Sequence, residues 1–178
     1  MSRVNRALEF AATVRHDGHG GIEDALPTVA ALEAWSGVPA TEALLHAVHD
    51  LRWAVRSLMA HASAAGTRVD TPHLRPLDEA LALVNAAAAA APRAAELRWG
   101  TPPTLHHVDT ATPGERLLAD LATDTMELLA GDQAPDLRAC PSPRCIRFFV
   151  RTHPKQQWCK PSCGNRARVS RHYHRTRD

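Results

Sequence analysis

Four cysteines carry the chemistry most directly readable in this chain: Cys140, Cys145, Cys159 and Cys163, spaced C-x4-C-x13-C-x3-C. Two close pairs of thiols suit a tetrahedral ion such as zinc, with each pair supplying one edge of thiolates about 2.3 Å from the metal. In a secreted mini-protein the same four would read as two disulfides. No secretion-signal pattern opens the chain, so a cytoplasmic protein and a metal site are expected, with disulfides or free thiols as the alternative. With all four positions filled by cysteine, no coordination position stays open for water. The metal is therefore expected to be a single structural zinc ion, not a catalytic one.

Charge divides the chain at the same place. Residues 1–137 hold 10 Arg and Lys against 18 Asp and Glu, a net of −8, whereas residues 138–178 hold 11 against one, a net of +10. Four thiolates and one divalent cation lower the second figure to +8. A basic module of this kind is a candidate for binding a polyanion, and an acidic body with a basic tail is a two-part organisation.

The elements that must position the cysteines follow from local patterns. Pro141-Ser142-Pro143-Arg144 and Lys160-Pro161-Ser162 are turn-forming, so each cysteine pair sits on a knuckle. Between them Ile146, Phe148 and Val150 alternate with Arg147, Phe149 and Arg151, which predicts a strand returning through Gln156 to Trp158 as a β-hairpin. From Gly164 to Arg175 the chain reads as a helix. The whole is a treble-clef-like four-cysteine finger of β-hairpin and helix. Its expected core is Ile146, Phe148, Phe149, Val150, Trp158, Val169 and Tyr173. So small a module needs a staple, and metal binding is then folding free energy. Loss of metal through Cys159→Ser is expected to unfold it and leave the helical part largely intact.

Upstream the pattern is mainly α. Val4, Leu8, Ala11 and Ala12 predict a first helix, and His16 to Gly21 a loop. Thr28 to Gly37 is a capped helix carrying Leu32 and Trp35. Thr41 opens a long one with Leu44, Val48, Leu51, Val55 and Leu58 on a single stripe. Leu77 to Ala91 includes an alanine run. Ala94 to Trp99 and Thr104 to Val108 suit a hairpin. Thr112, Pro113 and Glu115 form a capping box for a helix ended by Gly131. The division is a helical domain over 1–131, a linker over 132–137 and the finger over 138–178. Trp35, Trp53 and Trp99 are read as core residues, or as the lining of a pocket between helices.

Trp158-Cys159 and Cys163-Gly164-Asn165-Arg166, with Arg168 beyond, resemble the closing motif of the CGNR zinc-finger family. Phe148 matches the aromatic strand upstream. The N-terminal part resembles the helical ABATE domain that precedes this finger: Leu8-Glu9-Phe10-Ala11-Ala12-Thr13 is similar to an L-D-F-x-N-T segment, with Glu9 in place of the aspartate and Ala12 in place of the asparagine. The resemblance implies a stress-related transcription regulator whose finger binds nucleic acid.

The residues support that direction independently. Arg168, Arg171 and Arg175 share one helix face, with Val169 and Tyr173 turned toward the finger core. Arginines so placed can bind phosphates or reach guanine in a major groove. Arg144, Arg147, Arg151, Lys155 and Lys160 add phosphate contacts from the knuckles and hairpin. Asn165 and Arg166 are candidates either for such contacts or for holding the turn around the thiolates. DNA is expected over RNA, where Phe149, Trp158 or Tyr173 would stack on unpaired bases. A protein-interaction module with purely structural zinc is the remaining reading. The helical domain is expected to sense a small-molecule effector or to mediate homodimerisation. No Walker loop, zinc-protease motif, nucleophile elbow or dinucleotide fingerprint is present, so neither an enzyme nor a catalytic residue is expected. No run is long and apolar enough to span a membrane.

Overall fold

The computed structural model describes residues 6–175, without the side chains of Arg171, His172, His174 and Arg175. Roughly half the chain is helical, with three small antiparallel hairpins. Helix α3 (Glu42–Ala62) is the spine. Thr41 caps it by accepting the Leu44 N–H at 3.2 Å, and the expected stripe is realised: Val48, Leu51, Val55 and Leu58 are buried and Leu44 packs at the edge. Helices α4 (Leu77–Ala89) and α5 (Pro113–Ala130) pack against it, and α1 (Arg6–Ala11) lies across α3 and α5. Ala80 on α4 is fully buried, because a small side chain lets two helices approach closely. The capping box of Thr112 and Glu115 forms. Helix α2 (Val29–Ser36) runs from the Thr28 cap to Gly37, whose φ of 71° closes it in the left-handed region.

Strands β1 (Val14–His16) and β2 (Ile22–Asp24) pair on either side of the loop at 17–21. The Asp17 carboxylate accepts the N–H groups of His19, Gly20 and Gly21 at 2.7, 3.1 and 3.0 Å, which shapes that loop. Strands β3 (Ala94–Arg98) and β4 (Thr104–Val108) form the expected hairpin, with Leu97 opposite Leu105. This hairpin is an exposed arm. Trp99 at its tip is 87% exposed, so it belongs neither to the core nor to a pocket lining, whereas Trp35 packs on Phe10 and Trp53 stacks on His73.

The C-terminal part departs from expectation in its strand pairing. Strand β6 (Phe148–Val150) pairs with β5 (Leu137–Ala139), not with the 156–158 segment. The partner therefore precedes Cys140, and the first cysteine pair sits in the loop of this hairpin. Residues 152–156 turn instead, because the Gln156 side chain accepts the Thr152 N–H at 2.8 Å. Leu137, assigned to the linker from sequence, is buried and joins Phe148 in the main core. The cysteine module does not hang from the helical part; its hairpin closes that part's core. Helix α6 (Pro161–Arg175) follows, with Cys163 in its first turn. Among the described residues no helix is long and apolar enough to cross a membrane.

Candidate metal centre

The four Sγ atoms lie within 4.8 Å of one another. Cys159 stands 3.6 Å from Cys163 and 3.8 Å from Cys145, and Cys145 stands 3.8 Å from Cys163. A disulfide would place sulfurs about 2.05 Å apart. A tetrahedron with metal–sulfur bonds of about 2.3 Å has edges of about 3.8 Å. The donor set and its spacing thus fit a zinc ion and exclude the disulfide alternative. Thiols this close cannot all ionise alone. Hydrogen bonds from Cys145 and Cys159 hold Cys140 down to about 2, while the same contact with Cys140 pushes Cys145 up to about 11. Cys159 is driven up as well, chiefly by its contacts with Cys140 and Cys145. A divalent cation removes this conflict, and its binding releases protons.

Local folding explains the convergence. The Cys140 N–H donates to the Arg147 carbonyl at 2.9 Å and that of Cys145 to the Ser142 carbonyl at 3.0 Å, closing the first knuckle. Ser142 is buried and its hydroxyl donates to the Cys163 carbonyl at 2.8 Å, joining the first knuckle to α6. Cys163, Gly164 and Ala167 form the buried face of α6, against Phe149 and Trp158. Val169 and Tyr173 do not reach this core: they are 69% and 53% exposed, because α6 turns Ala167 inward and carries them toward the β1–β2 loop.

Four of the cations singled out in the sequence come together beside the cluster. Arg144, Arg147, Lys160 and Arg166 line one concavity with Arg15 and His16 of β1, against Cys145 and Cys163. Arg166 donates to the Pro143 carbonyl at 3.3 Å and Arg144 to the Gly18 carbonyl at 3.1 Å. Among the described residues the side chains of Arg147 and Lys160 have no hydrogen-bond or ion-pair partner. Asn165 and Arg168 stand apart from the concavity, exposed, with Arg168 donating to the Asn165 side-chain oxygen at 2.5 Å. The side chains of Arg171 and Arg175 lie outside the described residues.

Comparison with protein families gives two matches in the same order. Residues 5–132 match the ABATE family, described as "Putative stress-induced transcription regulator", and residues 137–176 match the CGNR zinc finger. The chain belongs to the ABATE family. No curated protein matches it.

In this ABATE chain the residues that couple its two matched regions escaped the sequence reading. Arg52 and Arg56, one turn apart on α3, are both fully buried. Arg52 grips Asp24 with both nitrogens, at 2.7 and 2.5 Å, and donates to the Thr13 hydroxyl at 3.1 Å. Thr13 closes the segment that resembles the family's N-terminal motif, and Phe10 of that segment sits in the core. Arg56 bonds the Ala11 carbonyl and Asp70, and donates to the Ile146 carbonyl at 2.8 Å, immediately after Cys145. Arg68 donates to Asp70 at 2.8 Å and lies 4.3 Å above the Phe148 ring. Burial pushes both Arg56 and Arg68 below the ordinary guanidinium range; Asp70 opposes this, and for Arg68 the Cys145 and Cys140 charges do so too. Periodicity could not reveal these arginines, since an arginine on an apolar stripe usually lies at its exposed rim. His49 bonds the Leu26 carbonyl at 2.8 Å.

Proposed function

We propose that this chain is a zinc-stabilised transcription regulator of the cytoplasm that binds nucleic acid through the basic concavity beside its cysteine cluster. Cys140, Cys145, Cys159 and Cys163 hold one structural zinc ion, which fixes the knuckles and the start of α6 in a treble-clef-like finger. The role is binding, not catalysis. The observation that carries the reading is the convergence of Arg144, Arg147, Lys160 and Arg166 in one concavity, with Arg147 and Lys160 unpartnered among the described residues. Cations that serve only solubility gain nothing from such crowding, since like charges repel. A polyphosphate backbone offsets that repulsion and releases its counterions. Arg168 extends the positive surface along α6, and Arg171 and Arg175 continue it by sequence spacing.

Titration of the zinc-loaded full chain with duplex DNA and single-stranded RNA pools at several salt concentrations tests this. Affinity is expected to fall with salt at a slope of about −0.9 per phosphate neutralised on duplex DNA, and less steeply on single strands. The double variant Arg147→Ala, Lys160→Ala is expected to reduce the slope by roughly two while keeping its zinc. Zinc-loaded protein that binds neither pool would leave the finger as a protein-docking module with structural zinc.

A further inference from the structure

Two hollows adjoin between the β1–β2 loop and the finger, and they share His16, Arg144 and Arg166 as walls. The smaller, about 160 Å³, adds Arg15, Arg147 and Lys160; the larger, about 500 Å³, adds Val169 and Tyr173. We propose that this composite cleft holds a single nucleotide unit, with its phosphate in the smaller hollow and its base against Tyr173 in the larger. The proposal rests on the polyanion reading of the same face and goes beyond it by naming a bound unit and a place for the base.

Charge sets the phosphate end. Five Arg and Lys side chains line the small hollow. A zinc-bound four-thiolate cluster carries −2, and Glu23, 3.7 Å from Arg15, carries −1. The surplus of two positive charges matches a phosphate monoester, which carries about −1.5 to −2 at neutral pH. Among the described residues Arg147 and Lys160 are the unengaged pair of the five. Arg144 and Arg166 are oriented by the Gly18 and Pro143 carbonyls, and each guanidinium keeps further N–H groups for a ligand. His16 accepts the Gly18 N–H at Nδ1, at 2.7 Å, so in the neutral ring Nε2 bears the proton and is the remaining donor. Arg144, which lines both hollows, has a φ of 63°, a conformation that favours glycine.

Shape and polarity set the other end. Val169 and Tyr173 are the large apolar groups that α6 leaves exposed, and both face the larger hollow. Its volume falls within the roughly 300–1,000 Å³ of small-molecule sites. A base stacks on an aromatic ring whatever its sequence identity. The unit can come from a free nucleotide, whose monoester matches the surplus of two, or from an unpaired position in a strand, whose diester carries one negative charge; both offer a phosphate and a base.

Calorimetric titration of the zinc-loaded full chain separates these. The ligands are adenosine 5′-monophosphate, adenosine, inorganic phosphate, a single-stranded oligonucleotide and its duplex. One nucleotide per chain is expected, bound at least about tenfold more tightly than adenosine or phosphate alone. Tyr173→Ala is expected to bring the nucleotide to the level of inorganic phosphate, while Tyr173→Phe retains it. Arg147→Ala with Lys160→Ala is expected to bring it to the level of adenosine. Tyr173 and Lys160 are exposed and Arg147 is half-buried, and retained zinc reports that the finger has folded. A single strand preferred over duplex through Tyr173, with no free-nucleotide binding, assigns the unit to a strand and upholds the cleft. Nucleotide binding with no strand or duplex binding upholds the cleft and removes the polymer reading. Duplex binding that is indifferent to Tyr173, with no nucleotide or strand preference, overturns the cleft and leaves the nucleic-acid reading standing. Binding of none of these ligands overturns both.

Discussion

A guanidinium withdrawn from water persists only where its charge is answered, and Arg56 shows how this chain does it. Arg56 and Asp70 are both at 0% exposure, so neither can be relaxed by solvent. Asp70→Ala would strand the charges of Arg56 and Arg68. We expect a loss of about 3–5 kcal/mol in urea unfolding, the usual cost of breaking one side of a buried pair. Asp24 poses the same question nearer the surface. Burial pushes its carboxyl up, but hydrogen bonds and charge from Arg52 and the Leu26 N–H outweigh this and hold it below the ordinary range. A folded value below the unfolded one contributes stability that is fully present above an unfolded pKa of about 3.9. That contribution disappears as pH falls through the folded value. Asp24→Asn should therefore be less stable than wild type at pH 6. The gap should narrow progressively below about pH 4, as followed by urea midpoints at each pH.

Helix α6 illustrates how an element is held by its smallest residues. A Cβ built on Gly164 would stand 2.9 Å from Trp158 Cδ1 and 3.2 Å from its Nε1. The indole is itself packed against the cysteine cluster, so it has little room to yield. Gly164→Ala is expected to cost about 1–3 kcal/mol by overpacking. The readouts are a shifted Trp fluorescence spectrum and weaker zinc retention against a chelator, with far-UV helicity otherwise preserved. Sequence alternation found the strand at Phe148 but misplaced its partner. Leu137-Arg138-Ala139 is only three residues long, too short for its alternation to mark a strand. What selects it is tertiary: Leu137 enters the same core as Phe148, a pairing that local pattern cannot express.

Over the whole molecule the two charge regions behave differently. Arginines of the body answer their own acids, as in Arg75 with Asp50 and Glu79, Arg93 with Asp120, and Arg116 with Asp109. In the finger, among the described residues, Arg151 pairs with Asp136, while the cations of the concavity pair with no acid except Arg15 with Glu23. Positive potential is thus concentrated on one face. The same integration changes what metal removal should do. Ile146, next to Cys145, accepts from Arg56 in the middle of α3, and Leu137 and Phe148 close the helical core. Chelation or Cys159→Ser should therefore lower the melting temperature of the helical signal itself, by several degrees or more. This replaces the expectation that the helical part is left largely intact. Circular dichroism melts with and without chelator decide between the two: an unchanged helical transition would show the finger to be an autonomous unit.

The amino-acid sequence by itself determined the four cysteines that cluster, the capped helices and the polarity of charge along the chain. Those depend on neighbours three to fourteen positions apart: Thr41 and Leu44, Thr112 and Glu115, Cys159 and Cys163, Cys145 and Cys159. Only the tertiary structure decided where β6 pairs, that Val169 and Tyr173 face outward, and that Arg15 of the first hairpin joins Arg147 and Lys160. It alone revealed Arg56, whose partners lie 14, 45 and 90 positions away. The physical reason is that caps and knuckles are satisfied within one turn of chain, whereas a buried charge is answered by whatever the fold brings beside it.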